Sequence, residues 1–230
     1  MAEKIYMIPV NEAFEASEAD HSCGCPYCAL EKKLEANELD AILGAAMMEP
    51  DIRIKTNELG FCHDHFEKMF VMKNRLGLAL MLESHLDEQR KILDGSFIRT
   101  AAANAEASSK KIDELQESCY VCGKIEFHFS KMLSTSVYLW ETEEAFRKKF
   151  ANQPYFCLTH YSRLINYASK KLPKKLVPDF LEAAKKVEAG YMDTLREDIK
   201  WFIKKFDYRY EEEPWKNSKD SVERAIKFLK

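Results

Sequence analysis

Six of the seven cysteines in this chain fall into one repeated frame. In order the pieces are CPYC (Cys25, Cys28), GFCHDH (Cys62, His65), CYVC (Cys119, Cys122) and YFCLTH (Cys157, His160). The gap from Cys28 to Cys62 is 34 residues and that from Cys122 to Cys157 is 35. The copies are offset by 94 residues at the first pair and 95 at the second. Neighbouring positions agree in character: Phe61 with Phe156, Phe66 with Tyr161, Met69 with Leu164 and Phe70 with Ile165. A random scatter of cysteines does not produce such a frame, so we read an internal duplication.

Each copy offers three thiolates and one imidazole. Zinc takes four ligands tetrahedrally and prefers these donors, and two cysteines three apart bite one ion. A helix start adds free N–H groups and the positive end of a dipole, both of which favour thiolate over thiol. The expectation is therefore two zinc ions, one per copy. Cys25, Cys28, Cys62 and His65 would hold the first, and Cys119, Cys122, Cys157 and His160 the second. Three thiolates, a neutral imidazole and the dication sum to a charge of −1, which a partly exposed site tolerates.

CPYC is also the active-site tetrapeptide of glutaredoxins. That reading requires a strand before the motif and a mixed sheet around it, whereas NEAFEASEADHSCG is no strand and the sequence after the motif is helical. It also leaves the second copy unexplained. Around the first motif the chain carries more donors than zinc needs, namely His21, Cys23 and His63; near the second the spare is His128. Cys23 could serve as a redox thiol, or replace His65 to give an all-cysteine set that would admit an iron–sulfur cluster. The plainer reading is that these are exposed residues of a ligand-rich loop. Three cysteines and a histidine close a zinc shell and quench its Lewis acidity, whereas a hydrolytic site keeps an open position. No HExxH, GxSxG, Walker or GxGxxG motif occurs, and the sequence leans away from an enzyme.

Only seven Gly and seven Pro occur in 230 residues, too few for a sandwich or barrel that turns every ten residues or so. Long stretches rich in Ala, Leu, Glu and Lys predict an all-α protein of two related helical halves, each pinned by a zinc site. We divide the chain into a first zinc-binding repeat (1–93), a connecting segment (94–118) and a second repeat with C-terminal helices (119–230). Pro26 opens a helix running to about Leu43, and Cys62 opens another with Phe66, Met69, Phe70 and Met72 toward the core. Leu78, Leu82, Leu86 and Leu93 form a stripe bordered by His85, which reads as a packed core histidine. The segment 94–118 is a linker or an exposed helix. The longest helix spans about 178–207, with Met192, Leu195, Ile199, Phe202 and Phe206 as a packing seam, into the protein's own core by preference or else onto a partner helix. Asp220 and Glu223 suggest a capping box for a last helix carrying Val222, Ile226 and Leu229. Tyr208, Tyr210 and Trp215 could line a pocket, but the commoner role of such a cluster is to clamp that helix to the body.

The net charge of −3 is unevenly spread. Residues 1–118 carry 13 basic against 22 acidic side chains, and residues 161–230 carry 17 against 12. The basic tail interleaves its lysines with acids at helical spacing, as on a solvated face, which argues against a nucleic-acid partner. The longest apolar run, LGLALMLESHL, is broken by Glu83 and His85, so no membrane span is expected. The N-terminus turns acidic where a signal peptide needs an apolar core, and we expect a cytoplasmic protein whose thiols stay reduced.

The segments EKIYMIPVNEAF, CGCPYC, LGFCHDH, NRLGLALML, CYVC and YFCLTHY, with the closing WFIKKFDYRYEEEPWKNSKDSVERAI, resemble a bacterial family known only as a domain of unknown function. The resemblance covers nearly the whole chain and implies a stand-alone cytosolic protein. It brings no activity or catalytic residue. The function expected from the residues is a zinc-stabilised binding or adaptor module for an unidentified protein or small-molecule partner. Its rival is a redox or electron-transfer protein using Cys23.

Overall fold

The computed structural model describes residues 4–95 and 100–230. Among the described residues it is helical with no strand: α1 (Met7–Ala19), α2 (Pro26–Leu43), α3 (Pro50–Leu59), α4 (His63–Val71), α5 (Arg75–Asp94), α6 (Ala101–Gln116), α7 (Tyr120–Thr142), α8 (Glu144–Ala151), α9 (Leu158–Lys171), α10 (Val177–Lys204) and α11 (Ser221–Leu229). The expected all-α class holds, and α2 has the bounds that its proline start and Gly44 stop imply. Most of the connecting segment 94–118 is helix α6; its residues 96–99 lie outside the described residues.

Two compact units divide the chain. One combines the N-terminal residues through Glu31 with Phe129–Lys230, and the other is Lys32–His128. These bounds differ from those of the motif repeats, because the chain passes from one unit to the other inside α2 and again inside α7.

The first unit has an aromatic core. Helix α1 buries Val10, Phe14 and Ser17, one face at four- and three-residue steps. Phe14 meets Tyr27 edge-on at 5.5 Å and lies 4.9 Å from Phe146. Phe150 bridges Phe156 at 4.9 Å and Phe180 at 5.4 Å. Each such ring contributes roughly 1.5–3 kcal/mol by leaving water. The Tyr27 hydroxyl, which would otherwise be orphaned in this core, pairs with Ser136 Oγ at 2.6 Å. Helix α10 supplies Phe180, Ala184, Val187, Glu188 and Leu195.

That register corrects the expected seam. Of its five members only Leu195 is buried; Met192 is half exposed and Phe206 is 76% exposed. Met192 sits off the face set by Phe180, Ala184, Val187 and Leu195, and beyond Leu195 the helix has no buried residue, so the later members of the seam lie past the core. Phe202 instead packs on Phe206 and Trp215. Lys205 Nζ gathers the carbonyls of Tyr210, Glu211 and Glu213, and the Trp201 indole donates to the Pro214 carbonyl. The tail thus folds back on the end of α10, with Tyr208 left in solvent.

Helix α11 turns its ring, not its aliphatic stripe, to the body. Val222, Ile226 and Leu229 are exposed, while Phe228 is buried against Tyr155 and Tyr191. The Phe228 ring, seated against two tyrosines, fixes the orientation. No capping box forms: the Asp220 side chain makes no cap bond and accepts from Arg224 instead.

In the second unit the core is Leu39, Ile42 and Leu43 from α2, with Phe61, Met69, Leu78, Met81, Tyr120 and Val121. Asn74 caps α5 by accepting from the Gly77 amide at 2.8 Å, and its amide donates to the Leu43 carbonyl. Phe70, expected inside, is exposed with the Arg75 guanidinium 3.5 Å above its ring. Leu86 and Leu93 are exposed as well, leaving Leu78 as the buried end of their stripe.

Candidate metal centres

All four Cys-containing motifs use one device. Cys62 and Cys157 each cap a helix in extended conformation, with φ −68° and ψ 161°, and φ −62° and ψ 154°. His65 and His160 then stand at the third helical position. Cys25 and Cys119 likewise precede the first residues of α2 and α7, placing Cys28 and Cys122 in the first turn. A cap and a third position face the same side of the helix mouth, so each pair converges on one point. The unpaired amides there favour negative sulfur, and the Cys122 amide lies 3.5 Å from Cys119 Sγ.

The structure corrects the expected assignment of ligands within each copy. Cys25 and Cys28 meet Cys157 and His160, and Cys62 and His65 meet Cys119 and Cys122. Each Cys-x-x-Cys thus joins the Cys-x-x-His of the other copy, and each cluster lies inside one compact unit. Packing explains the exchange. Phe156, just before Cys157, inserts beside Tyr27 at 5.6 Å, next to Cys28. In the other unit the Tyr120 amide donates to the Gly60 carbonyl at 3.0 Å and the Ser118 hydroxyl to that of Leu59 at 2.7 Å, clasping the two ligand loops together. Gly60 turns this loop at φ +59°, a value that favours glycine.

The donor spacing fits a tetrahedral ion. With Zn–S about 2.3 Å and Zn–N about 2.05 Å, the tetrahedron's edges are about 3.8 Å between sulfurs and about 3.6 Å between sulfur and nitrogen. Cys28 and Cys157 sulfurs are 3.5 Å apart, and those of Cys62 and Cys122 are 3.9 Å apart. His160 Nδ1 lies 3.7, 3.4 and 3.1 Å from Cys25, Cys28 and Cys157. His65 Nδ1 lies 3.1, 3.3 and 3.5 Å from Cys62, Cys119 and Cys122. All seven cysteines are free thiols, and these separations far exceed a disulfide bond.

Both histidines turn Nδ1 to the sulfurs and Nε2 to a glutamate of α2. His65 Nε2 is 3.1 Å from Glu35, which also takes Lys68 Nζ at 2.5 Å. His160 Nε2 is 3.7 Å from Glu31, which takes Lys230 at 3.3 Å. At His65 this hydrogen-bonded carboxylate fixes the tautomer and raises the donor strength of Nδ1, whereas Glu31 stands beyond hydrogen-bond reach of His160. Sequence reasoning missed both glutamates, although Glu31 stands one helical turn beyond the ligand Cys28.

The thiols alone concentrate charge on one sulfur per cluster. Hydrogen bonds from Cys25 and Cys28 hold Cys157 far below the ordinary thiol range. Burial drives Cys25 well up, and the bond to Cys157 pushes Cys28 up to about 11. In the other cluster burial would raise Cys119, but bonds from His65 and the Cys122 amide outweigh it and bring the thiol to about 6. Burial, with the neighbouring Cys119 charge, pushes Cys122 up to about 12. A metal ion would therefore displace protons from the remaining thiols as it binds.

The clusters differ in exposure. Cys25, Cys157 and His160 are buried, whereas Cys122 is exposed and Cys62 and Cys119 are half-buried. The spare donors join neither cluster. Cys23 is exposed in the turn His21–Cys23, and His63 points to solvent beside Glu67 at 3.2 Å. Glu188 is a further functional residue not singled out in the sequence: buried, it accepts from the Phe156 amide at 3.0 Å and so holds the loop that carries Cys157.

The fold and the two clusters define a helical protein with paired Cys3His centres able to hold metal ions. The chain belongs to DUF6062, a family of unknown function whose model matches residues 1–230. No curated protein and no solved structure matches it significantly. Among the described residues no helix is long and apolar enough to cross a membrane.

Proposed function

We propose that both clusters hold zinc, that the zinc is structural, and that the protein is a cytoplasmic binding or adaptor module. One observation supports this most directly: two complete Cys3His sets at helix starts, with donor spacings near those of a zinc tetrahedron. Four protein donors leave the ion no open position, so it pins loops rather than activating water. Each ion ties two helix mouths that are far apart in sequence, adding stability that folding of a unit this small draws on. The histidine in each set, and a Cys23 that stands outside both, favour zinc over an iron–sulfur cluster. The two motif copies are best explained by an old duplication in which the copies came to share their ligands. Elemental analysis of protein purified without oxygen or chelator tests the reading. Two zinc ions per chain and no visible absorbance are expected; iron with brown absorbance would replace this account by one of electron transfer.

A further inference from the structure

Beside the Cys25–Cys28–Cys157–His160 cluster the first unit contains a cavity of about 770 Å³. Its walls come from the turn at His21–Gly24, the loop after α8, one face of α10 and the start of α11. Such a volume suits a small organic molecule. The back wall is rigid: Tyr155 and Tyr191 stack at 4.2 Å, and buried Phe228 packs edge-on against Tyr155 at 5.7 Å. Gly24 and Tyr155 flank the ligands Cys25 and Cys157 closely in sequence, so the metal cluster and the cavity share two loops.

Two independent features describe what would fit. The first is charge. Lys186, Arg224 and Lys227 line the cavity against Asp220 alone, in a chain whose net charge is −3. Arg224 is held in place, its Nε 3.0 Å from Asp220 and a terminal nitrogen 2.8 Å from Asp198, with a further bond to the Asn217 carbonyl. Its charge is therefore largely answered, whereas Lys186 and Lys227 have no ion-pair partner among the described residues. The second is shape. Gln153, a lining residue only 5% exposed, is fixed in the wall by its Nε2, which donates to the carbonyls of Phe14 and Lys149, both at 2.9 Å. The wall is also cleared by Gly190, mid-helix in α10, where an added Cβ would meet nothing within 4 Å. Glycine there weakens the helix relative to alanine.

We propose that this cavity binds a small organic anion, with Lys186 and Lys227 taking a phosphate or carboxylate group. The assignment goes beyond the structural-zinc reading and stands or falls separately from it.

Isothermal titration of the full-length, metal-loaded protein with AMP and with citrate at low salt tests it. One-to-one binding of at least one probe is expected, with Kd below about 1 mM. AMP alone would assign a phosphate group and citrate alone a carboxylate. Lys186→Glu/Lys227→Glu should weaken binding at least about tenfold. The equally exposed pair Lys170→Glu/Lys171→Glu should leave it unchanged. Gly190→Trp, which fills the cavity without touching the cationic rim, should abolish binding while the metal content stays the same. Binding of neither probe would overturn the proposal, as would binding that survives both Gly190→Trp and the rim reversal, or equal losses in the control pair. Metal content measured on the same samples reports on the zinc reading independently.

Discussion

Glu188 offers a quantitative test of how the buried loop before Cys157 is held. Only 4% exposed, it accepts from the Phe156 amide through Oε1 and leaves Oε2 without a partner. Burial, together with the nearby Cys157 charge, lifts its carboxyl from 4.5 to about 8. A carboxyl whose pKa is higher folded than unfolded favours the neutral form in the native state. Its cost is thus absent below the unfolded value and grows as pH rises toward the folded one. For 4.5 and 8, linkage gives a cost of about 0.8 kcal/mol at pH 5, about 3 at pH 7 and about 5 at pH 9. Glu188→Gln keeps an acceptor for Phe156 and removes the titration. Its amide NH2 replaces an unpartnered oxygen, so its stability at any single pH is offset by a constant. The observable is the difference between the two proteins across pH. Denaturant unfolding of metal-loaded samples should show the variant gaining about 4 kcal/mol on wild type between pH 5 and pH 9. A difference that stays flat across this range would refute the argument that Glu188 is held neutral at the native loop.

Replacing Glu35 by Gln removes the carboxylate behind His65; the Cys62–His65–Cys119–Cys122 site should lose about 10- to 100-fold in zinc affinity by chelator competition, with the other site unchanged. Under peroxide or a strong chelator, zinc release followed with a colorimetric dye should be biphasic. The cluster with exposed Cys122 should empty first, and Cys23→Ser should leave both phases as they were. Tyr27→Phe deletes the buried bond to Ser136, whose hydroxyl still donates to the Leu133 carbonyl, so the expected loss is about 1 kcal/mol by denaturant unfolding.

The ligands were legible because metal chemistry demands few residue types at short, fixed spacings, and helix starts satisfy those spacings locally. Which pairs meet was not legible, since spacing along the chain is silent on whether Cys28 closes with Cys62 or with Cys157. That choice is made by Phe156 packing beside Tyr27 and by the Tyr120 amide reaching Gly60, contacts between residues about 60 or more positions apart. Helix existence followed from composition, and α2 kept its bounds because Pro26 and Gly44 punctuate it. Helix faces were harder to read. In α10 the buried face ends at Leu195, so Ile199, Phe202 and Phe206 lie past the core, and in α11 Phe228 is buried where Val222, Ile226 and Leu229 had the neater periodicity. Glu31, Glu35 and Glu188 look like any surface acids in the sequence; only the histidines and the amide they meet set them apart.

The crossed assignment of ligands is tested most directly by metal content in two double variants, each dialysed against a competing chelator. Cys25→Ser/Cys157→Ser removes two donors from one cluster, and Cys25→Ser/Cys62→Ser removes one from each. The crossed arrangement predicts about one zinc per chain in the first variant and close to none in the second. The reverse result, none in the first and one in the second, would mean that each copy closes its own site and would contradict the account.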